Sequence, residues 1–175
     1  MRGVPGKVAR RGNLRLPLSA QEIMAANVPE MPPPLVQFLL GGQALVVATV
    51  DQQGAPLTTL MTWAVARNPR TLTLAVDTRG RAMRNLRSNG KVAIEVLGDD
   101  LCYGLRGTAV VEKELMQSTP FPCALVAVRI EDVRDHAAAG VQFRGPRYSF
   151  HADKEHRKGV EEAIFDELKG PTPTI

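Results

Sequence analysis

The residues best placed to do chemistry in this sequence are the arginines of one short segment, from Asp77 to Arg87, which reads DTRGRAMRNLR. The first turn of a helix carries free N–H groups and partial positive charge, so acidic side chains are favoured there. In this segment Arg79 and Arg81 occupy the predicted first turn instead. A phosphate group would satisfy the free N–H groups and the guanidinium groups together.

Four residues are therefore candidate phosphate ligands: Thr78, Arg79, Arg81 and Arg84. Thr78 could cap the helix or donate its hydroxyl, and Gly80 would let the backbone approach a ligand closely. From these residues alone, a solvated helix face is an equally good explanation of the arginines. The position of the segment directly after a predicted strand favours a binding site.

The elements that must position this segment are mostly strands. Six stretches rich in β-branched and apolar residues predict a mainly β fold: Ala44–Val50, Leu57–Ala66, Thr71–Val76, Val92–Leu97, Leu101–Val111 and Cys123–Val133. The short, turn-forming separators between them favour antiparallel neighbours.

Helical patterns flank and interrupt these strands. Helices are predicted over Ser19–Asn27, Leu35–Leu40, Arg79–Asn89 and Asp153–Leu168. In the third, apolar residues recur at helical spacing and Gly90 is placed to end the helix. The last helix carries an apolar stripe and is expected to pack against the β core or a partner subunit.

The nonapeptide ATVDQQGAP at Ala48–Pro56, taken with the motifs after it in the chain, resembles the pyridoxamine-phosphate-oxidase-like family of FMN-binding split barrels. That family has ATVD, two variable residues and GxP at its opening strand and turn. Two further strands, the arginine-rich helix, NGKV at Asn89–Val92 and RGTA at Arg106–Ala109 come next at the family's spacing. The resemblance covers about Leu45 to Val111.

The resemblance implies a six-stranded antiparallel Greek-key split barrel with accessory helices, and a homodimer that binds FMN in a groove built by both subunits. Arg81 matches an arginine that holds the FMN phosphate. The segment that would border the isoalloxazine ring, largely through backbone atoms, is Leu60, Met61, Thr62 and Trp63. Trp63, the single tryptophan, is either a core residue or one that faces the flavin.

The sequence departs from the family pattern at several binding positions. Thr59, Ala64 and Ala82 stand where the family has basic residues. Thr59 is retained as a candidate cofactor-binding position, and Arg79 and Arg84 could replace the missing charge.

The function expected from the resemblance is an FMN-dependent oxidoreductase that acts on an unknown small molecule or reductant. Two alternatives remain open: a flavin-binding or storage protein without turnover, and a barrel that binds deazaflavin or haem. Oxidation of vitamin B6 is not expected, because the substrate motif and closing tryptophan segment of true pyridoxamine-phosphate oxidases have no counterpart. The basic, aromatic segment Arg144–His151 could close over a ligand or form a loop and edge strand.

Motifs, charge and composition narrow the remaining classes of function. The sequence contains no GxGxxG, P-loop or GxSxG pattern. Its two cysteines lack CxxC spacing and its three histidines are scattered, so we expect no metal site.

The net charge of +4 owes much to residues 1–18. We expect these residues to form a flexible basic tail, followed by a single domain over 19–175. That tail lacks base-stacking aromatics, so nucleic-acid binding is not favoured. No apolar run is long enough to span a membrane, and a cytoplasmic protein is expected.

Overall fold

The structure is a computed structural model that describes residues 29–146, 148 and 150–170. The basic tail predicted for residues 1–18 and the helix predicted over Ser19–Asn27 lie outside these residues.

Seven strands of the described chain form one antiparallel sheet in the order β2-β1-β5-β6-β7-β4-β3. They are β1 (Leu45–Val50), β2 (Pro56–Met61), β3 (Ala64–Asn68), β4 (Thr71–Asp77), β5 (Lys91–Gly98), β6 (Leu101–Lys113) and β7 (Cys123–Asp135). The mainly β, antiparallel fold expected from the sequence is confirmed.

The strand count differs from the prediction because the second strand is broken. The stretch predicted over Leu57–Ala66 divides at Thr62 and Trp63 into β2 and β3. The first half pairs with β1 and the second with β4, so the two halves lie at opposite edges of the sheet. Since each half has a different neighbour, the chain must leave one edge and enter the other at this break.

The described residues include three α-helices: α1 (Pro33–Phe38), α2 (Arg81–Asn89) and α3 (Arg157–Lys169), the last preceded by a 3₁₀ turn at Ala152–Lys154. Helix α2 begins two residues later than predicted. The Asp77 carboxylate accepts the Arg79 N–H at 2.9 Å and the Asp77 carbonyl accepts the Gly80 N–H at 3.0 Å, so a tight turn precedes the helix. Gly90 ends α2 in the left-handed conformation, with φ of 68°.

The main core cluster includes buried side chains from all seven of these strands and from α1 and α2. Along β1 and β5 burial alternates with period two, as expected for strands with one solvated face. Residues Leu72–Val76 of β4 are buried without interruption, because helix α3 covers the second face of this strand.

Helix α3 packs on β3 and β4, as its apolar stripe predicts. Ile164 and Leu168 are completely buried in a cluster with Val65, Met116 and Cys123. The Thr73 hydroxyl lies 2.9 Å from the Leu168 carbonyl oxygen and ties the end of the helix to β4. Within the described residues, no helix has the length and apolar character needed to cross a bilayer.

Candidate functional site

A groove with a volume of about 450 Å³ opens where the chain breaks between β2 and β3. The end of β4, the start of α2 and the segment before β7 complete its walls. Its lining residues are Leu57, Thr59, Leu60, Met61, Thr62, Trp63, Ala75, Val76, Asp77, Gly80, Arg81, Ala82, Phe121 and Cys123. Most of these side chains are apolar, so the groove suits a ligand with a large uncharged surface.

One part of the groove lining, called the aromatic end below, is formed by two neighbouring rings. The rings of Trp63 and Phe121 stack with centroids 5.3 Å apart and planes inclined by 29°. Trp63 also packs against the buried cluster beneath α3, so it is both a core residue and a groove residue. Two adjacent ring faces of this kind can hold a planar aromatic group.

Another part of the lining, called the basic end below, carries positive charge. Arg81 is exposed at the first position of α2, behind Gly80, which supplies no side-chain cap, and the first turn contains no acid. No carboxylate of the described residues forms an ion pair with Arg81. A guanidinium group and uncapped helical N–H groups thus meet at this end of the groove, which is the combination that binds a phosphate.

Arg79 has a different environment from Arg81. Its Nε lies 3.3 Å from Oδ1 of Asp77, and this ion pair sits beside the backbone hydrogen bond from Arg79 N–H to the same carboxylate. The backbone and side-chain hydrogen bonds from Arg79 lower the pKa of Asp77. Much of the charge of Arg79 is therefore balanced locally.

Arg84 lines a second hollow of about 380 Å³ that shares Leu57 and Arg81 with the groove. One guanidinium nitrogen of Arg84 donates to the Arg79 carbonyl oxygen at 3.0 Å. Its positive charge lies next to Arg81 and extends the basic end beyond the groove itself.

Thr78 does not cap α2 in this structure. Its hydroxyl and its backbone N–H both donate to the Pro122 carbonyl oxygen, at 3.2 and 3.1 Å. Thr78 therefore fastens the segment that carries Phe121 to the end of β4.

The sequence-derived candidates thus fall into two groups. The structure brings into one groove Thr59, Leu60, Met61, Thr62, Trp63 and Arg81. The others, Thr78, Arg79 and Arg84, lie beside it, each held by its own hydrogen bonds. Sequence reasoning missed Phe121, because no periodic pattern or motif connects residue 121 with residue 63.

The three positions that are basic in the family contribute no charge here. Thr59 and Ala82 line the groove, whereas Ala64 is 1% exposed and belongs to the core. Among the described residues, Arg81 is the one cationic side chain of the groove lining, with Arg84 in the adjoining hollow.

Cys123 lines the groove, and its environment disfavours the thiolate form. It is completely buried, and this burial raises the pKa of its thiol to about 11. The described residues include no cluster of three or more His, Cys, Asp or Glu side chains that could hold a metal ion.

The described part of the segment Arg144–His151 touches the back of the site. The Tyr148 hydroxyl donates to Oε1 of Glu161 on α3 at 2.8 Å, and Thr62 contacts the same hydroxyl. Burial and the neighbouring Glu161 carboxylate raise the pKa of Tyr148. The described residues of this segment form no strand, so the edge strand considered for it is absent from them.

An antiparallel sheet whose second strand breaks to reach both edges matches the split-barrel fold expected from the sequence. Residues 31–137 match the model of the family described as pyridoxamine 5′-phosphate oxidase. The match covers more than half of the chain, and the chain therefore belongs to this family.

Solved structures show the same fold. HupZ from Group A Streptococcus is 21% identical, covers 68% of this chain and 100% of its own, and has a TM-score of 0.54. A Lactobacillus delbrueckii protein assigned provisionally as a pyridoxamine 5′-phosphate oxidase is 24% identical, covers 62% of this chain and 96% of its own, and has a TM-score of 0.53. No curated protein matches the chain. At these identities the likeness establishes the fold and not the ligand.

Proposed function

We propose that this chain binds FMN in the groove at the β2–β3 break and acts as an FMN-dependent oxidoreductase on a small molecule. The observation that carries the proposal is the chemical contrast between the two ends of the groove. FMN joins a flat aromatic ring system to a phosphate. The aromatic end matches the ring system, and Arg81 with the uncapped start of α2 matches the phosphate.

The donor set fits this cofactor even though three family positions have lost their charge. Arg81 has no ion-pair partner among the described residues, so binding a phosphate there would require no existing ion pair to break. Arg84 adds a second positive charge in the adjoining hollow. Opposite charges and donated hydrogen bonds at this point would stabilise a dianionic phosphate.

Each part of the groove then has a distinct task. Arg81 and the first N–H groups of α2 hold the phosphate, and the segment from Leu60 to Trp63 borders the ring. Trp63 and Phe121 exclude water from one side of the groove. When bound, the flavin supplies the electron transfer, and the protein supplies binding, orientation and electrostatics.

A homodimer is part of the proposal. Leu60 is 67% exposed and Val46 is 37% exposed, and the two are directly opposite each other on β2 and β1. Leu60 also lines the groove, so a second copy covering this apolar pair would lie at the edge of the site. Sedimentation of purified protein should give about twice the chain mass of 19.0 kDa, and a monomer at micromolar concentration would contradict a shared site. We further propose that this dimer acts in the cytoplasm.

The experiment that tests the proposed function is the absorption spectrum of the freshly purified protein. Flavin bands that bleach on addition of NADH or NADPH and return in air would support an oxidoreductase. Flavin bands that no reductant changes would indicate a flavin carrier. A Soret band, or no chromophore combined with no uptake of added FMN, would refute the proposal.

A further inference from the structure

We infer that Glu167, on α3, is a positioning residue that holds Phe121 against Trp63 and thereby forms the aromatic end of the groove. This role deepens the proposed function, since it rests on the groove being the ligand site. The position of Phe121 can nevertheless be measured without any ligand.

The Glu167 carboxylate is the anchor of the segment between β6 and β7. Its side chain is 14% exposed and accepts a hydrogen bond from the Lys113 ammonium at 2.6 Å. It also accepts the backbone N–H groups of Gln117 and Ser118, at 3.2 and 3.0 Å, and the Ser118 hydroxyl. One carboxylate therefore satisfies two backbone donors of a segment that forms no regular secondary structure.

Hydrogen bonds also hold this segment on the C-terminal side of Phe121. The Pro122 carbonyl oxygen accepts two hydrogen bonds from Thr78, and the Met116 N–H donates to the Cys123 carbonyl oxygen at 2.8 Å. In sequence, Phe121 lies between these hydrogen bonds and those at Ser118. Its backbone is thus held from both directions.

Phe121 needs this anchoring because burial does not fix it. Phe121 is 41% exposed, and its ring stacks on Trp63. An aromatic pair of this kind stabilises less than the conformational entropy of a few ordered loop residues costs. The hydrogen bonds to Glu167 must therefore supply part of the order.

Helix α3 supports the partner ring as well. Ile164 and Leu168, on either side of Glu167 in sequence, belong to the buried cluster against which Trp63 packs. One helix thus packs against Trp63 through its buried residues and anchors the segment that carries Phe121 through Glu167. The aromatic end of the groove depends on a helix that itself contributes no lining residue.

The fluorescence of Trp63 provides a direct test, because the chain has a single tryptophan. In Glu167→Ala we expect a red-shifted Trp63 emission and faster quenching by acrylamide, since Phe121 no longer covers the indole. Glu167→Gln keeps an acceptor for one backbone N–H and should restore part of the protection. Asp166→Ala, an exposed neighbour whose ion pair is with Lys169, is the matched control and should leave Trp63 unchanged.

The decisive comparison uses Phe121→Ala as a second background. If Glu167 acts on Trp63 through Phe121, then Glu167→Ala should change Trp63 quenching little or not at all once Phe121 is gone. An equal change in both backgrounds would overturn the inference, because Glu167 would then act on the whole domain. Unchanged quenching in Glu167→Ala, even with a lower melting temperature, would overturn it too. Where Glu167→Ala does not fold, Glu167→Gln carries the same comparison.

Ligand binding adds a separate readout. Glu167→Ala should weaken FMN and riboflavin alike, by about two- to tenfold, because it disturbs the ring end and not the phosphate end. Wild-type protein that binds neither flavin would count against the proposed function, and the Trp63 measurements would still decide the role of Glu167.

Discussion

The two ends of the groove are built in opposite ways. The basic end comes from one short stretch of chain, in which Gly80, Arg81 and Arg84 begin a single helix. The aromatic end joins Trp63, at the break of a strand, to Phe121, in a segment held by α3. Binding groups supplied by one local segment can be recognised in a sequence, whereas groups assembled by tertiary packing emerge only in the folded chain.

The largest effect should come from removing the phosphate contact. Arg81→Ala should weaken FMN binding by about ten- to a hundredfold, because a charge-assisted hydrogen bond contributes roughly 1.5–3 kcal/mol. Riboflavin lacks the phosphate, so its affinity should hardly change. Titration of both ligands by flavin fluorescence measures the difference.

Arg87→Ala is the matched control for that experiment. It removes the same charge from the same helix, but its guanidinium pairs with Glu114 away from the groove. Its FMN affinity should stay near the wild-type value. Equal losses of FMN and riboflavin in Arg81→Ala would show that the basic end does not bind the phosphate.

The aromatic end should show the complementary pattern. Phe121→Ala should weaken FMN and riboflavin equally, by about two- to tenfold, because both ligands carry the ring that Phe121 would contact in the proposed site. Leu115→Ala, on the same segment and 59% exposed, removes an apolar side chain outside the groove and should change neither affinity. A loss confined to FMN would mean that the two ends are not separate.

The same contrast explains how much of the structure the sequence could predict. The mainly β fold, the α2 segment and the groove residues from Thr59 to Trp63 can be inferred from local patterns and from the family resemblance. The division of the second strand cannot be inferred in this way, because Leu57–Ala66 is strand-forming throughout. The two halves differ only in their partners, since one pairs with β1 and the other with β4. Phe121 and Glu167 were missed for the same reason, since their contacts join segments far apart in sequence.

Substitution of two further arginines should show how far the basic end extends. Arg84→Ala should weaken FMN by up to about fivefold, the range of an exposed charge near a ligand. Arg79→Ala should have less effect, because Asp77 already balances that guanidinium. Isothermal titration of FMN ranks the three arginines, and a loss in Arg79→Ala as large as in Arg81→Ala would contradict this arrangement of charges.

The protonation of Glu167 should have the smallest effect, because it takes place well below neutral pH. Burial acts to raise the pKa of Glu167, but hydrogen bonds from Lys113, Ser118 and Gln117 outweigh it and lower the pKa from 4.5 to about 2. The stabilisation by this carboxylate is complete above pH 4.5 and is lost as the pH falls towards 2. Urea unfolding at about pH 6, 4 and 3 should show a steeper loss in wild type than in Glu167→Gln. Parallel pH profiles would mean that the carboxylate does not hold the segment.

We propose that flavin binds between the aromatic and basic ends of this one groove. A titration of FMN into wild-type protein, followed by Trp63 emission, tests this most directly. We expect saturable quenching of the single tryptophan at one FMN per chain, and a spectral shift of the flavin over the same concentration range. Flavin that binds without changing Trp63 emission would place the cofactor elsewhere. Absence of both signals at millimolar FMN would contradict the claim outright.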